Sequence, residues 1–318
     1  MNPVLAFHRS LPGYAPTPVV ALPGLARSLG IAHLYAKDES NRLGLPAFKA
    51  LGASWAVHRA LAGRPPSTVV TATDGNHGRA VARFARLSGH RAAIYVPPGV
   101  PAAAIRAIED EGAAVTRVPG DYDAAVRAAA HAAAAPDAVL VQDTAWPGYE
   151  EVPGWIVDGY GTLFAELDEQ LPSPPDLVIV PAGVGSLLQA ALTHYRGRPA
   201  PARTAVVSVE PRAAACVLAS VAAGHPVTVA TGETALAGLN CGTVSSLAWP
   251  HIAAGLSAGT AVDDPEAFAA ARLLRANGVD AGPCGAAPLA ALLRPDFPLP
   301  LSPATSALLL VTEGAAAV

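Results

Sequence analysis

Short, continuous apolar runs separated by alanine-rich segments of helix length recur along almost the whole of this 318-residue chain, and no other feature restricts the fold as strongly. Strands are predicted at His33–Ala36, Thr68–Thr73, Ala92–Val96, Ala114–Val118, Ala138–Val141, Leu177–Pro181, Ala205–Val209 and Ala307–Val311. Helices are predicted at Phe48–Ala62, Gly78–Leu87, Pro101–Glu111, Ala124–Ala134, Tyr149–Leu171, Val184–Tyr195, Ala213–Ala222, Pro265–Asn277 and Gly285–Leu293. Strand, helix, strand repetition points to an α/β protein whose parallel sheets are covered on both faces. The strand runs stay apolar without alternating, as strands buried on both sides do. At roughly 100–200 residues per domain, the length suggests two domains or one large α/β unit with an insertion. The loops Pro172–Pro175 and Arg198–Arg203 are ordinary αβ connections and mark no boundary.

Composition excludes several classes of function. With 14% charged and 52% hydrophobic residues the chain reads as compact and soluble, not disordered. A net charge of -4 leaves no basic field for a phosphate backbone, so nucleic acid is not an expected partner. Cys216, Cys241 and Cys284 lack zinc-site spacing, and no metal is expected. Met1 to Pro12 holds no apolar h-region of a signal peptide. The most apolar stretch, Leu177–Leu192, is interrupted by Pro181, Gly183, Gly185, Ser186 and Gln189, short of the ~20 apolar residues of a spanning helix. A cytoplasmic protein with no membrane partner is the expectation. Of 21 basic residues only Lys37 and Lys49 are lysines, which leaves 19 arginines. A GC-rich genome accounts for the scarcity but not for which two remain.

Lys49 opens a predicted helix in Ala47-Phe-Lys-Ala-Leu-Gly52. At the positive end of the helix dipole it gains nothing electrostatically. Burial among Phe48, Ala50 and Leu51 would lower its pKa toward the neutral amine that forms Schiff bases, whereas a surface lysine would merely extend into water. Thr71-Ala-Thr-Asp-Gly-Asn-His-Gly78 follows a strand and enters a helix, placing Thr73, Asp74, Asn76 and His77 at a sheet's carboxyl edge, where α/β proteins bind ligands. Turn chemistry alone explains part of that pattern. Pro181-Ala-Gly-Val-Gly-Ser186 has the same strand-to-helix context and suits one phosphate, although a tight turn would also use those glycines. It lacks the lysine of a P-loop and the spacing of a dinucleotide fingerprint. Asp143, in Gln142-Asp-Thr-Ala-Trp146, is a candidate acid or base, or else a helix cap. Thr312 ends the last strand and by itself indicates nothing.

A lysine at a helix start, an Asn turn one unit later, a glycine-rich loop and a hydroxyl residue after the final strand occur here in the order of one family. The chain resembles the tryptophan-synthase β-like family of pyridoxal-phosphate enzymes, fold type II. Within it the wording is most similar to the diaminopropionate ammonia-lyases, in Lys37-Asp-Glu-Ser40, Thr73-Asp-Gly-Asn-His-Gly-Arg79, Gly148-Tyr-Glu-Glu-Val-Pro153, Gly159-Tyr-Gly161, Val209-Glu-Pro211 and Thr312-Glu-Gly314 besides the segments above. The likeness runs from about Thr17 to Gly314. Asp74, where most relatives carry Ser or Thr, is its most discriminating residue. The resemblance implies two three-layer domains with parallel sheets. Residues 1–46 with 151–318 would form a large cofactor-binding domain, and 47–150 a smaller inserted domain carrying the lysine and the Asn loop. It implies that Lys49 holds pyridoxal 5′-phosphate as a Schiff base. Asn76 would meet the 3′-oxygen, Gly183, Val184, Gly185 and Ser186 the phosphate, and Thr312 the pyridine nitrogen. Thr73, Asp74, His77 and Asp143 would face an amino-acid substrate. Lys49 or Asp74 would remove the α-proton, and Asp74 or Asp143 would protonate the leaving β-amine. Elimination would then yield pyruvate and ammonia through aminoacrylate. A homodimer is also implied.

Pro283-Cys284-Gly285 stands where relatives usually have Glu-Ser-Gly, and Pro46 where Asn is common. These departures leave open a β-replacement synthase, a serine or threonine dehydratase type of enzyme, and an inactive binding protein of the same fold. The two lysines separate by context. Lys37 is expected to stay protonated and paired with Asp38 and Glu39. Lys49 has apolar neighbours, and an imine is one bond that arginine cannot form.

Overall fold

The computed structural model describes residues 2–73, 75–197 and 204–317. Asp74 and the loop Arg198–Arg203 lie outside the described residues. In chain order α1 (Pro3–Ser10), β1 (Val19–Ala21), α2 (Pro23–Leu29) and β2 (His33–Asp38) lead into α3 (Lys49–Leu61). Next come β3 (Thr68–Ala72), α4 (Asn76–Leu87), β4 (Arg91–Val96), α5 (Ala102–Glu109), β5 (Ala114–Arg117), α6 (Tyr122–Ala132) and β6 (Ala138–Leu140). The long helix α7 (Glu151–Gln170) precedes β7 (Leu177–Pro181), α8 (Ser186–Arg196), β8 (Ala205–Pro211) and α9 (Cys216–Ala223). After these follow α10 (Ala248–Gly255), β9 (Ala258–Val262), α11 (Asp264–Ala276), α12 (Pro283–Leu292) and β10 (Ser306–Val311).

The strands form two sheets. One has six strands in the order β1-β2-β10-β7-β8-β9, parallel except for β1 against β2. The other has four parallel strands in the order β5-β4-β3-β6. Every residue of β7 is buried, which is why its sequence reads as one apolar run. No helix among the described residues is long and apolar enough to cross a membrane.

Each predicted strand and helix is present, with ends moved by a few residues. Strands β1 and β9 and helices α1, α2 and α10 were not anticipated. The strand β9, Ala258-Gly-Thr-Ala-Val262, is too poor in large apolar residues to announce itself, and its pairing to β8 makes it a strand. Pro250 hides α10, but it lies in the first turn, where no amide hydrogen is needed.

Two features of the core position the site. Helices α3 and α7 cross where Gly52 meets Gly159: a Cβ on Gly159 would lie 2.6 Å from the Leu51 carbonyl oxygen, and one on Gly52 would lie 2.6 Å from the Tyr160 ring. Lys49 is therefore held close to α7. Beside this crossing lies a fully buried charge cluster. Lys37 Nζ donates to Glu166 Oε2 at 2.6 Å, and Arg42 donates to Glu166 Oε1 at 2.6 Å and to Glu39 Oε1 at 2.6 Å. The expected partners of Lys37 are thus corrected. Successive strand residues point to opposite faces, so Asp38 faces away from Lys37, and Arg42 takes Glu39. Lys37 hydrogen-bonds Glu166 on α7, and desolvation in that setting pulls its pKa below the ordinary lysine value even though the charges of Glu39 and Glu166 both oppose the fall.

Candidate active site

The carboxyl edges of both sheets face one pocket, lined by the turn before α3, the loops after β3, β6 and β7, and the end of β10. Ligands of open α/β sheets bind at such edges. Lys49 is the first residue of α3, and its Nζ donates to Asp143 Oδ2 at 2.5 Å, with both side chains largely buried. The Phe48 ring lies 5.5 Å from Nζ. The expected fall in the Lys49 pKa is overturned. Burial does push it down, but the Asp143 carboxylate and the Tyr160 hydroxyl group outweigh burial and hold the ammonium above the usual lysine range. Burial would raise Asp143, yet Lys49 and His77 bring it well below the usual carboxylate range. An isolated lysine among apolar neighbours would have lost its proton; the sequence could not show that Asp143, 94 residues away, arrives beside it.

Asp143 is not a helix cap, since the next helix begins at Glu151. Its carboxylate also accepts from Gln142 Nε2 at 3.2 Å and lies 3.5 Å from the Tyr122 hydroxyl. Its carbonyl accepts the Ser186 hydroxyl at 2.8 Å, tying the loop after β6 to the start of α8. His77 donates from Nε2 to the Val141 carbonyl at 2.9 Å, so its Nδ1 is the unprotonated nitrogen. That Nδ1 is buried without a hydrogen bond, 4.0 Å from Asp143, and burial lowers the His77 pKa.

Thr73 organises the Asn loop. Its hydroxyl oxygen accepts the Gly75 and Gly78 amides at 2.9 and 3.0 Å. Gly75, at φ +153°, turns the chain into α4 in a conformation that side chains disfavour. Asn76 then opens α4 and donates to Glu313 Oε2 at 2.7 Å.

The loop after β7 has the form of an anion cradle. Gly185 is left-handed at φ +96° and offers no side-chain cap, so the first amides of α8 have no partner within the helix. A Cβ on Gly183 would fill the cradle and strike Cys241 Sγ at 2.9 Å. Amides and dipole together favour a phosphate there. Thr312 follows β10 and lines the pocket, and its carbonyl accepts the Phe48 amide at 3.0 Å, fixing the turn that presents Lys49. A primary amine, a side-chain amide, a hydroxyl and a glycine cradle thus share one pocket, the donor set that pyridoxal phosphate requires. Tyr122, Tyr160, Cys241 and Glu313 line it too and were not anticipated, and Cys284, from the departing segment Pro283-Cys284-Gly285, also lines it. Tyr160 and Glu313 lie in Gly159-Tyr-Gly161 and Thr312-Glu-Gly314, two segments that carry the resemblance; Tyr122 and Cys241 reach the pocket through packing of segments without motifs.

The family model for pyridoxal-phosphate dependent enzymes matches residues 11–313. The chain belongs to that family. Pyridoxal 5′-phosphate is accordingly the cofactor, and the fold is that of fold type II enzymes. Among members of this family, the diaminopropionate ammonia-lyase of Salmonella typhimurium is 40% identical over 291 residues, spanning 82% of this chain and 72% of that protein. A biosynthetic L-threonine dehydratase of Mycobacterium leprae is 31% identical over 97% of this chain and 70% of its own length. A crystal structure of the Escherichia coli diaminopropionate ammonia-lyase with an aminoacrylate-PLP azomethine reaction intermediate superimposes with a TM-score of 0.90 at 32% identity, covering 98% of this chain and 88% of that one.

Proposed function

We propose that this enzyme is an ammonia-lyase that eliminates ammonia from 2,3-diaminopropionate, or a closely related β-substituted amino acid, to give pyruvate and ammonia. The observation that carries the reading is the 2.5 Å contact between Lys49 and Asp143 inside the phosphate-cradling pocket. When bound, pyridoxal phosphate draws electrons from the substrate's α-carbon. Lys49 anchors the cofactor, the amides of Gly183, Val184, Gly185 and Ser186 hold its phosphate, Asn76 donates to the ring oxygen, and the Thr312 hydroxyl meets the ring nitrogen. A hydroxyl there leaves the nitrogen without a lasting proton, which suits β-elimination better than transamination.

Asp143 serves in two states. While Lys49 is an ammonium, Asp143 is its counter-ion. Once Lys49 has lost that charge, the strongest influence opposing burial is gone, and the proton affinity of the carboxyl rises. Asp143 can then hold a proton at Oδ2 and pass it to the β-nitrogen, which departs as neutral ammonia. Neutral Lys49 Nζ accepts the α-proton of one enantiomer, and Asp74 that of the other. Thr73 and His77 face the substrate. The released enamine hydrolyses to pyruvate and a second ammonia. The domain division at residues 47 and 151, a homodimer and a cytoplasmic location belong to the same reading. Light scattering that gave the mass of a single chain would remove the dimer from it.

The test is a lactate-dehydrogenase-coupled pyruvate assay with D- and L-2,3-diaminopropionate, without added nucleophile, beside L-serine and L-threonine coupled to matching reductases. Turnover of 2,3-diaminopropionate well above the hydroxy amino acids is expected. Turnover of serine or threonine alone would replace the reading with a dehydratase, and loss of both activities with a bound chromophore would leave β-replacement.

A further inference from the structure

Glu313 is buried at the end of β10, in the six-stranded sheet, and no step above uses it. Its Oε2 accepts from Asn76 Nδ2 at 2.7 Å, although Asn76 opens α4, which follows a strand of the other sheet. Its Oε1 accepts the backbone amide of Cys284 at 3.2 Å, at the start of α12. Its backbone pairs with Ala47, two residues before Lys49. The surroundings are cut to fit it: a Cβ on Gly282 would lie 3.1 Å from Glu313 Oε1, and one on Gly285 would lie 2.6 Å from the Glu313 carbonyl oxygen.

Burial raises the Glu313 carboxyl above its ordinary value; in its ionised form it only accepts hydrogen bonds, and so fixes which edge of the Asn76 amide faces it. With the amide reversed, the Asn76 oxygen would meet carboxylate oxygen. Among the described residues Glu313 is the only side chain that bonds Asn76. One amide hydrogen is committed to Glu313, and the second is left for the pocket. We propose that Glu313 is a positioning residue: it locks the Asn76 amide across the junction of the two sheets, so that one N–H always points toward the cofactor's ring oxygen. This rests on the reading that Asn76 meets that oxygen. Glu313 acts through Asn76 and touches neither substrate nor the reacting atoms.

The test uses protein loaded with pyridoxal phosphate and follows the visible absorbance band against pH, together with cofactor affinity by fluorescence. Glu313→Gln replaces one acceptor with a donor facing a donor, from Asn76 or from Cys284. It is expected to move the pH midpoint of the band by about one unit and to weaken cofactor binding about tenfold, the worth of one hydrogen bond. Asn76→Ala is expected to do the same, and the double variant should be no worse than Asn76→Ala alone. A purely structural role for Glu313 would lower thermal stability and leave the pH midpoint in place. If Asn76→Ala shifts the profile and Glu313→Gln does not, or if their effects add, the positioning role is overturned. If Asn76→Ala itself shifts nothing, the reading of Asn76 fails first and this inference with it. Should Glu313→Gln not fold, Glu313→Asp withdraws the carboxylate from Asn76 by one methylene and must shift the midpoint in the same way for the inference to stand.

Discussion

Burial and ion pairing oppose each other most directly at Lys49. Burial alone would give a neutral amine; Asp143 and Tyr160 reverse the sign. Two substitutions separate these effects. Lys49→Arg keeps a cation beside Asp143 but forms no imine, so the reconstituted protein should show no visible cofactor band and no activity. A yellow, active variant would refute Lys49 as the anchor. Asp143→Asn removes the charge that holds the ammonium, so the amine becomes neutral at lower pH. This variant should therefore load cofactor at lower pH than the parent, as read by absorbance. Its pyruvate formation should nevertheless fall by roughly 10²–10⁴-fold, the usual worth of a general acid. If loading shifts to higher pH instead, the pair does not govern the lysine. Lys49 was legible in the sequence because its motif and its rarity both marked it. Its charge state was not, because its partner lies 94 residues away.

At the scale of elements, the crossing of α3 and α7 decides where Lys49 is presented. Gly159 would drive a Cβ into backbone, the Leu51 carbonyl and Gly52 Cα, which cannot swing aside. Gly52 would first meet the ring of Tyr160 and the side chain of Ile156, which have some freedom, before the Ile156 carbonyl at 2.9 Å. Gly159→Ala is expected to cost more than Gly52→Ala, with both in or above the range of about 1–3 kcal/mol for overpacking, as measured by urea unfolding. Equal midpoints for the two variants would show that the helices separate freely. Read locally, a glycine inside a helix only lowers helix propensity. The use of Gly52 and Gly159 becomes visible when two helices are brought together, and for that reason the helices were legible in the sequence and their crossing was not. The strand β9 is a related case, made by its neighbour β8 more than by its own residues.

Over the whole molecule, two buried groups give stability opposite dependences on pH. Burial raises Glu210, which accepts the Val217 and Leu218 amides, to about 7. Between its ordinary value near 4.5 and about 7 the folded chain binds more protons than the unfolded one, so stability falls as pH rises through that window. Burial lowers His8, which donates to the Leu51 carbonyl, to about 4. Between about 4 and 6.5 the unfolded chain binds more protons, so stability falls as pH drops. Each shift corresponds to about 3 kcal/mol at most, and the two windows overlap and offset each other. Glu210→Gln should therefore leave the climb of stability with pH from about 4 to 6.5 unopposed, and His8→Asn should leave the decline over about 4.5 to 7. Urea melts at pH 5 and pH 8 would read both slopes. No change of slope in either variant would mean that neither group is desolvated in solution.

What the sequence determined by itself was local: strands buried on both faces, strand-to-helix loops with glycines where a phosphate fits, and one lysine whose context set it apart from the other. Such features depend on residues within a few positions of one another. The tertiary structure decided which distant groups meet. It set Asp143 beside Lys49, turned Lys37 toward Glu166 instead of Asp38, and brought Glu313 across two sheets to Asn76. Proton affinities in a buried site follow from such neighbours and from the loss of water, and both are consequences of packing. The chemical groups of the site could thus be read along the chain, while their charges and orientations belong to the fold.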